Sequence, residues 1–96
     1  MSLYVVQHKH TDATCPARNM EMGPMLLTHL SEENAGRFGV TIKSEAVVDG
    51  AHTLYLIVEA ADKQKVEKFM EPFTRAGSFE VMPASVCEVV VERGSC

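Results

Sequence analysis

The sequence predicts an α+β domain in which four strands and two helices follow the order β-α-β-β-α-β. Three observations carry this prediction. The pair Asp49-Gly50 stands between two apolar, β-branched runs and is typical of a β-hairpin. Apolar residues at helical spacing come after this hairpin. Further strand-like runs stand near both ends of the chain, so that the two helices and the hairpin lie between them.

In the first half of the chain, a strand is predicted over residues 3–10, which read LYVVQHKH, apolar at first and polar at the end. A long connection over residues 11–23 follows. Pro24 suits the first turn of a helix, where a missing N–H is tolerated. Apolar or semi-polar side chains then recur at helical spacing, at Met22, Met25, Leu26, His29 and Leu30. Ser31 is expected to cap a second short turn over residues 32–38.

The second half begins with the two strands of the hairpin, predicted over residues 40–48 and 52–60. The second helix is expected to begin near Asp62, a good N-cap residue. Its apolar stripe consists of Val66, Phe69, Met70 and Phe73. A last strand is predicted over residues 80–92, and Pro83 near its start favours an edge position or a bulge.

Composition restricts the classes of function. The chain has 96 residues, 46% of them hydrophobic and 23% charged, as expected of one globular domain. Its net charge of −4 and lack of a basic run argue against nucleic acid or an anionic membrane as partner. We find no apolar stretch of the ~18 residues that span a membrane, and no export signal. Three widely spaced cysteines form no disulfide framework, so we expect free thiols and a cytoplasmic location.

The element order is the ferredoxin-like arrangement, with strand order 4-1-3-2 and two helices on one face of the sheet. With the chain length and the Asp49-Gly50 hairpin, this order resembles the dimeric α+β barrel superfamily. The resemblance implies a homodimer whose open sheet faces enclose a small cavity. Members include cofactor-independent monooxygenases, muconolactone-type isomerases, haem-degrading enzymes and small nickel-binding proteins, so fold alone does not choose the function. Apolar residues on both faces of the strands, such as Val5 and Val6, also favour a dimer.

The same topology predicts a candidate metal site at one end of the sheet. His8 and His10 end the first strand, His52 begins the third, and Cys15 follows in the adjacent loop. Imidazole and thiolate ligands suit zinc, copper, nickel or iron. A two-residue turn would place His52 on the same face as Glu45, which predicts that His52 points to the open, partner-facing side.

Two other functions remain open. One is a cofactor-free oxygenase or isomerase acting on a small aromatic or polyketide-like substrate, with a histidine as general base and with Tyr4 and Tyr55 lining the cavity. Cys15 could also serve as a nucleophile. The dipeptide Cys15-Pro16 is a weak indication of haem binding. The other function is a ligand-free interaction or regulatory module.

The remaining reactive side chains are expected to be structural. His29 lies on an apolar helical stripe and is interpreted as a core or interface histidine with satisfied hydrogen bonds. Cys87 is flanked by valines, which predicts a buried small hydrophobe. Four methionines are expected to fill gaps in the core or an interface rather than to bind metal, namely Met20, Met22, Met25 and Met82.

Overall fold

The computed structural model describes the backbone of residues 1–96 and the side chains of all of them except Arg18. Within this chain four strands form one antiparallel sheet, β1 (Ser2–Lys9), β2 (Val40–Val48), β3 (Thr53–Ala60) and β4 (Ser78–Ala84). The sheet order is β2-β3-β1-β4. This is the predicted order read from the opposite edge, so the ferredoxin-like fold is confirmed.

Four α-helices complete the described chain, α1 (Met22–His29), α2 (Glu32–Arg37), α3 (Lys63–Met70) and α4 (Cys87–Arg93). Two predicted caps are present. The Ser31 hydroxyl accepts the N–H of Asn34 at 3.3 Å, and the Asp62 carboxylate accepts the N–H of Lys65 at 3.0 Å. In the described residues, none of these helices has the length and apolar character needed to cross a membrane.

Three short 3₁₀ turns join the helices and strands, at Asp12–Thr14, Pro16–Arg18 and Glu71–Ala76. The last of them ends at Gly77, whose φ of 116° is open to glycine alone. A Cβ at this position would lie 1.9 Å from the carbonyl oxygen of Lys9. Gly77 therefore lets the chain enter β4 directly against the end of β1, beside the candidate site.

The end of the chain differs from the prediction. The strand predicted over residues 80–92 ends at Ala84, and α4 takes up the rest. The reason lies in the strand pairing, because β4 pairs only with β1 and Ala84 is already opposite Leu3. Residues beyond Ala84 have no strand to pair with, so they form local helical hydrogen bonds closed by Gly94 at φ 71°. Cys87 is exposed on this helix, and the prediction that it is buried was wrong.

The core lies between one face of the sheet and the helices. In β1, Tyr4, Val6 and His8 are buried, whereas Val5 and Gln7 between them are only half-buried. The same alternation runs through β3. The helical side of the core is supplied by Val66, Phe69 and Met70, all fully buried on α3. On the opposite face of the sheet, Tyr55 and Ile57 are exposed.

The β2–β3 hairpin has a longer turn than predicted. Val48 pairs with Thr53, so the turn contains the four residues 49–52 instead of two. A register shift between Ile42 and Ser44 also adds a residue to β2. The longer turn alone places Val47 opposite Leu54, on the side of the sheet that the helices cover. His52 becomes part of the turn, and its position therefore differs from the predicted one.

Candidate metal centre

A small cavity of about 180 Å³ lies where the end of β1 meets the β2–β3 turn. It opens between the sheet and the connection that leads into α1. Its polar lining includes His8, His10, Cys15 and His52, while Leu26, Leu54 and Phe73 form much of the apolar wall. The four residues that the sequence singled out therefore meet in one place. They do so on the helix-covered side, so the prediction that His52 faces a partner chain was wrong.

His10 is the central residue of this group. Its backbone N–H donates to the carbonyl oxygen of His52 at 3.1 Å. Its ring lies 5.1 Å from the ring of His52 and 5.5 Å from that of His8, centroid to centroid. Both ring nitrogens of His10 are buried, and neither has a hydrogen-bond partner among the described residues. Burial lowers the pKa of His10, and the neighbouring imidazoles of His8 and His52 lower it further.

Cys15 is positioned by the 3₁₀ turn that precedes it. Thr11 and Thr14 form a capping box, in which each side chain accepts the backbone N–H of the other, at 3.3 and 3.0 Å. The N–H of Cys15 then donates to the carbonyl oxygen of Asp12 at 3.5 Å. Pro16, which begins the next 3₁₀ turn, is buried. These contacts hold a half-buried thiol against the two histidines.

His52 is held by an uncommon backbone conformation. Its φ is +50°, in the left-handed region that a non-glycine residue rarely adopts. Its Nε2 lies 3.5 Å from Oδ1 of Asp12, a largely exposed carboxylate. A carboxylate beside one ring nitrogen fixes the orientation of an imidazole and leaves the other nitrogen for a ligand. Asp12 is thus a residue of the site that the sequence reasoning missed, although the Thr11–Thr14 spacing offered a signal for the turn that places it.

His8 has a different environment from the other three residues. It is 2% exposed, and its Nε2–H donates to the carbonyl oxygen of Phe73 at 3.0 Å. Its ring also packs edge to face against Phe73, with the centroids 5.2 Å apart. Since a carbonyl only accepts, this hydrogen bond requires the proton on Nε2 of His8. His8 lines the cavity as an anchored neighbour of His10.

Three residues come close enough to share one ion. One ligand atom each from His10, Cys15 and His52 lies within 4.8 Å of the others. Tetrahedral zinc bonds of about 2.0–2.3 Å would set ligand atoms about 3.3–3.6 Å apart. The three side chains would have to close by no more than about 1.5 Å, a distance that side-chain rotation can supply. This His-Cys-His group could hold a metal.

The two tyrosines lie apart from this group and from each other. Tyr4 is buried in the core beneath the helices, whereas Tyr55 is exposed on the open face, where its hydroxyl accepts a hydrogen bond from Gln7 at 3.0 Å. They occupy opposite faces of the sheet, so they cannot line one cavity together. Of the two, Tyr55 alone is on the face that a second copy would cover.

His29 is the histidine outside the cavity. Its Nε2 donates to the carbonyl oxygen of Phe69 at 2.7 Å, and its Nδ1 accepts from the side-chain amide of Asn34 at 3.2 Å. Its ring stacks on Phe69 at 4.6 Å. The expectation of a structural histidine with both nitrogens satisfied is confirmed. By contrast, Met20 and Met25 are exposed, so neither packs in the core of this chain.

The fold and this cluster define a small α+β protein with a candidate transition-metal centre. The chain belongs to the family described as a domain of unknown function (DUF3303), whose sequence model matches residues 3–95. No curated protein and no solved structure matches the chain.

Proposed function

We propose that this protein binds a transition-metal ion through His10, Cys15 and His52. The observation that carries the proposal is the state of His10, whose two buried ring nitrogens have no hydrogen-bond partner among the described residues. An unsatisfied buried polar group costs about 1–3 kcal/mol. Coordination would engage one of these nitrogens, and the thiol and the second imidazole lie where further ligands to the same ion would be needed.

The donor set favours zinc or copper over the harder cations. Two imidazoles and one thiolate suit Zn²⁺ or Cu⁺, whereas magnesium and calcium take oxygen ligands. Nickel and iron also accept imidazole, so their affinities for the site are to be compared with those of zinc and copper. Haem is not supported, because a cavity of about 180 Å³ is smaller than the roughly 300–1,000 Å³ of pockets for drug-sized ligands.

Asp12 supports the same proposal from outside the ligand set. Its carboxylate at 3.5 Å from Nε2 of His52 would hold that imidazole with Nδ1 directed to the metal. The hydrogen bond from the His10 N–H to the His52 carbonyl ties the two ligand-bearing segments together. Because the backbone of these two segments is joined, we expect metal binding to require side-chain rotation and no rearrangement of the backbone.

The alternative of a cofactor-free enzyme finds less support. It requires a histidine as general base in a cavity between two open sheet faces. Among the described side chains, His8, His10 and His52 line the cavity on the helix-covered side, and His29 packs against Phe69 of α3. The open face thus lacks the base that this mechanism needs. The homodimer inferred from the sequence stays a prediction, and so does a cytoplasmic location.

The test is elemental analysis of untagged protein purified without chelators, before and after reconstitution with Zn²⁺, Cu⁺, Ni²⁺ and Fe²⁺. We expect about one metal ion per chain for at least one of them. Cys15→Ser should bind at least about tenfold more weakly, since even loss of an outer partner costs about 10–100-fold. Cys87→Ser is the matched control, because Cys87 is exposed on α4. Absence of metal throughout, or equal affinity in the two variants, would contradict the proposal.

A further inference from the structure

We infer that a metal held by His10, Cys15 and His52 keeps one coordination position open to the cavity, where a small monodentate ligand of a few heavy atoms binds. This inference rests on the proposed function and deepens it. It distinguishes a reactive or sensing site from a closed structural one, since structural zinc sites use four protein ligands and open sites use three.

Three side chains could serve as donors to the ion. Among the described His, Cys, Asp and Glu side chains, the group whose ligand atoms lie within 4.8 Å of one another has three members. The imidazole of His8 lies outside this group, with its Nε2–H bound to the carbonyl of Phe73. Two carboxylates are also outside the group, that of Asp12 beside His52 and that of Asp49 in the cavity lining. A four-coordinate ion would therefore take its fourth ligand from solution.

The cavity limits the size of the ligand that could take the fourth position. The cavity measures about 180 Å³, and a water molecule takes up about 30 Å³ of liquid volume. Even with an ion seated among its three ligands, room for several atoms remains. A substrate of drug size needs a larger pocket. The volume therefore selects a ligand such as water, hydroxide or a small linear anion.

Much of the cavity wall is apolar. Leu26, Leu54 and Phe73 line the cavity and offer no side-chain hydrogen-bond donor. The lining also includes the carboxylate of Asp49, which does not attract an anion, so a small anion entering the cavity would be held by the metal. The apolar surroundings also strengthen an ion–ligand interaction by reducing the local dielectric. The expected ligand is thus compact and bound through one atom to the metal.

The test uses protein loaded with Co²⁺ and titrated with azide. The visible d–d absorption of Co²⁺ reports its coordination. We expect azide to change this spectrum saturably, because it would occupy the open position. A Co²⁺ spectrum that azide leaves unchanged would overturn the inference while leaving metal binding intact. Failure of Co²⁺, and of the other four metals, to bind would instead contradict the proposed function, and this inference with it.

Two variants show whether the ligand occupies the cavity. Ala17→Leu adds bulk to the cavity lining, and its matched control Ala13→Leu adds the same bulk to an alanine of the preceding 3₁₀ turn, outside that lining. Leu26→Phe enlarges another side chain of the lining and serves as a second probe. With Co²⁺ loading unchanged, we expect azide to bind about tenfold more weakly to the Ala17 and Leu26 variants than to the control. Equal azide affinities in the Ala17, Leu26 and Ala13 variants would overturn the inference that the ligand lies in the cavity.

Discussion

The backbone N–H of His10 donates to the carbonyl oxygen of His52 at 3.1 Å, and the two imidazole rings stand 5.1 Å apart, edge to face. Residues 42 positions apart in the chain are thereby joined just beyond the paired ends of β1 and β3. The last β1–β3 pair is Lys9 with Thr53, so this bond continues the ladder by one step. The hydrogen bonding of the sheet thus sets the spacing of two of the three proposed ligands.

The left-handed backbone of His52 leads to a prediction that separates the turn from the imidazole. Both His52→Asn and His52→Val remove a metal ligand, so both should bind metal weakly. Asparagine tolerates a φ of +50°, whereas a β-branched residue does not. We expect His52→Val to have a free energy of unfolding about 1–2 kcal/mol below that of His52→Asn, measured by urea denaturation of the metal-free proteins. Equal values would show that the turn relaxes without strain.

His8 allows the anchored and the coordinating histidines to be told apart. His8→Leu removes the hydrogen bond to the carbonyl of Phe73 and leaves that oxygen unpaired in a buried position. We expect the free energy of unfolding to fall by about 1–3 kcal/mol, with the metal content per folded chain unchanged. Circular dichroism and elemental analysis on the same sample would measure both. A folded His8→Leu protein without metal would instead identify His8 as a ligand.

The fold could be predicted from the sequence because its signals are local and strong. The Asp49-Gly50 turn, the capping residues Ser31 and Asp62, and the apolar stripe of α3 each select their element without help from distant residues. The end of β4 could not be predicted in this way. It depends on where β1 begins, since Ala84 is opposite Leu3 and no strand lies beyond. A run of valines favours a strand only where a neighbouring strand is present to pair with it.

One part of the candidate site could likewise be predicted from the sequence, and another part could not. The convergence of His10, Cys15 and His52 follows from strand order alone, which the sequence supplied. The side of the sheet on which they meet was predicted wrongly because it was judged from the charge of Glu45. That residue is exposed on the edge strand β2, yet it lies opposite the buried Leu56 and so belongs to the helix-covered side. The longer turn shifts the pairing by two residues, so each side chain keeps its predicted face. Asp12 was missed because its place depends on the Thr11–Thr14 capping box and not on any metal-ligand spacing.

The lowered pKa of His10 predicts how the metal-free protein responds to acid. The ordinary value is 6.5, and burial, with the nearby His8 and His52 imidazoles, depresses it in the folded state. Below pH 6.5 the unfolded chain then binds more protons at this residue than the folded chain does. Stability from this residue is therefore present above the ordinary pKa and is lost as the pH falls through the depressed one.

The corresponding measurement compares metal-free wild-type protein with His10→Gln, which cannot titrate at this position. Thermal unfolding is followed between about pH 8 and pH 5, where histidine changes charge. The Tm of the wild type should fall more steeply on acidification than that of His10→Gln, because only the wild type has this proton uptake on unfolding. Parallel profiles would show that His10 titrates alike in the folded and unfolded chain.

The open face of the sheet predicts the oligomeric state. Ile57 is 40% exposed and Tyr55 37% exposed on the face opposite the core, with Val5 and Met82 half-buried beside them. An apolar sheet face of this kind is stabilised when a second copy packs on it. We expect the wild type to be a dimer by light scattering. Ile57→Lys should give a folded monomer, because it places a charge in the interface.

The control for this last prediction is Val91→Lys, which introduces the same charge at a valine that is 77% exposed on α4. Since this position lies outside the sheet, the variant should remain dimeric if the open face is the interface. A monomeric wild type would contradict the prediction, and so would an Ile57→Lys protein that stays dimeric. Because the metal ligands lie on the other side of the sheet, the monomeric Ile57→Lys variant should still bind metal with the affinity of the wild type.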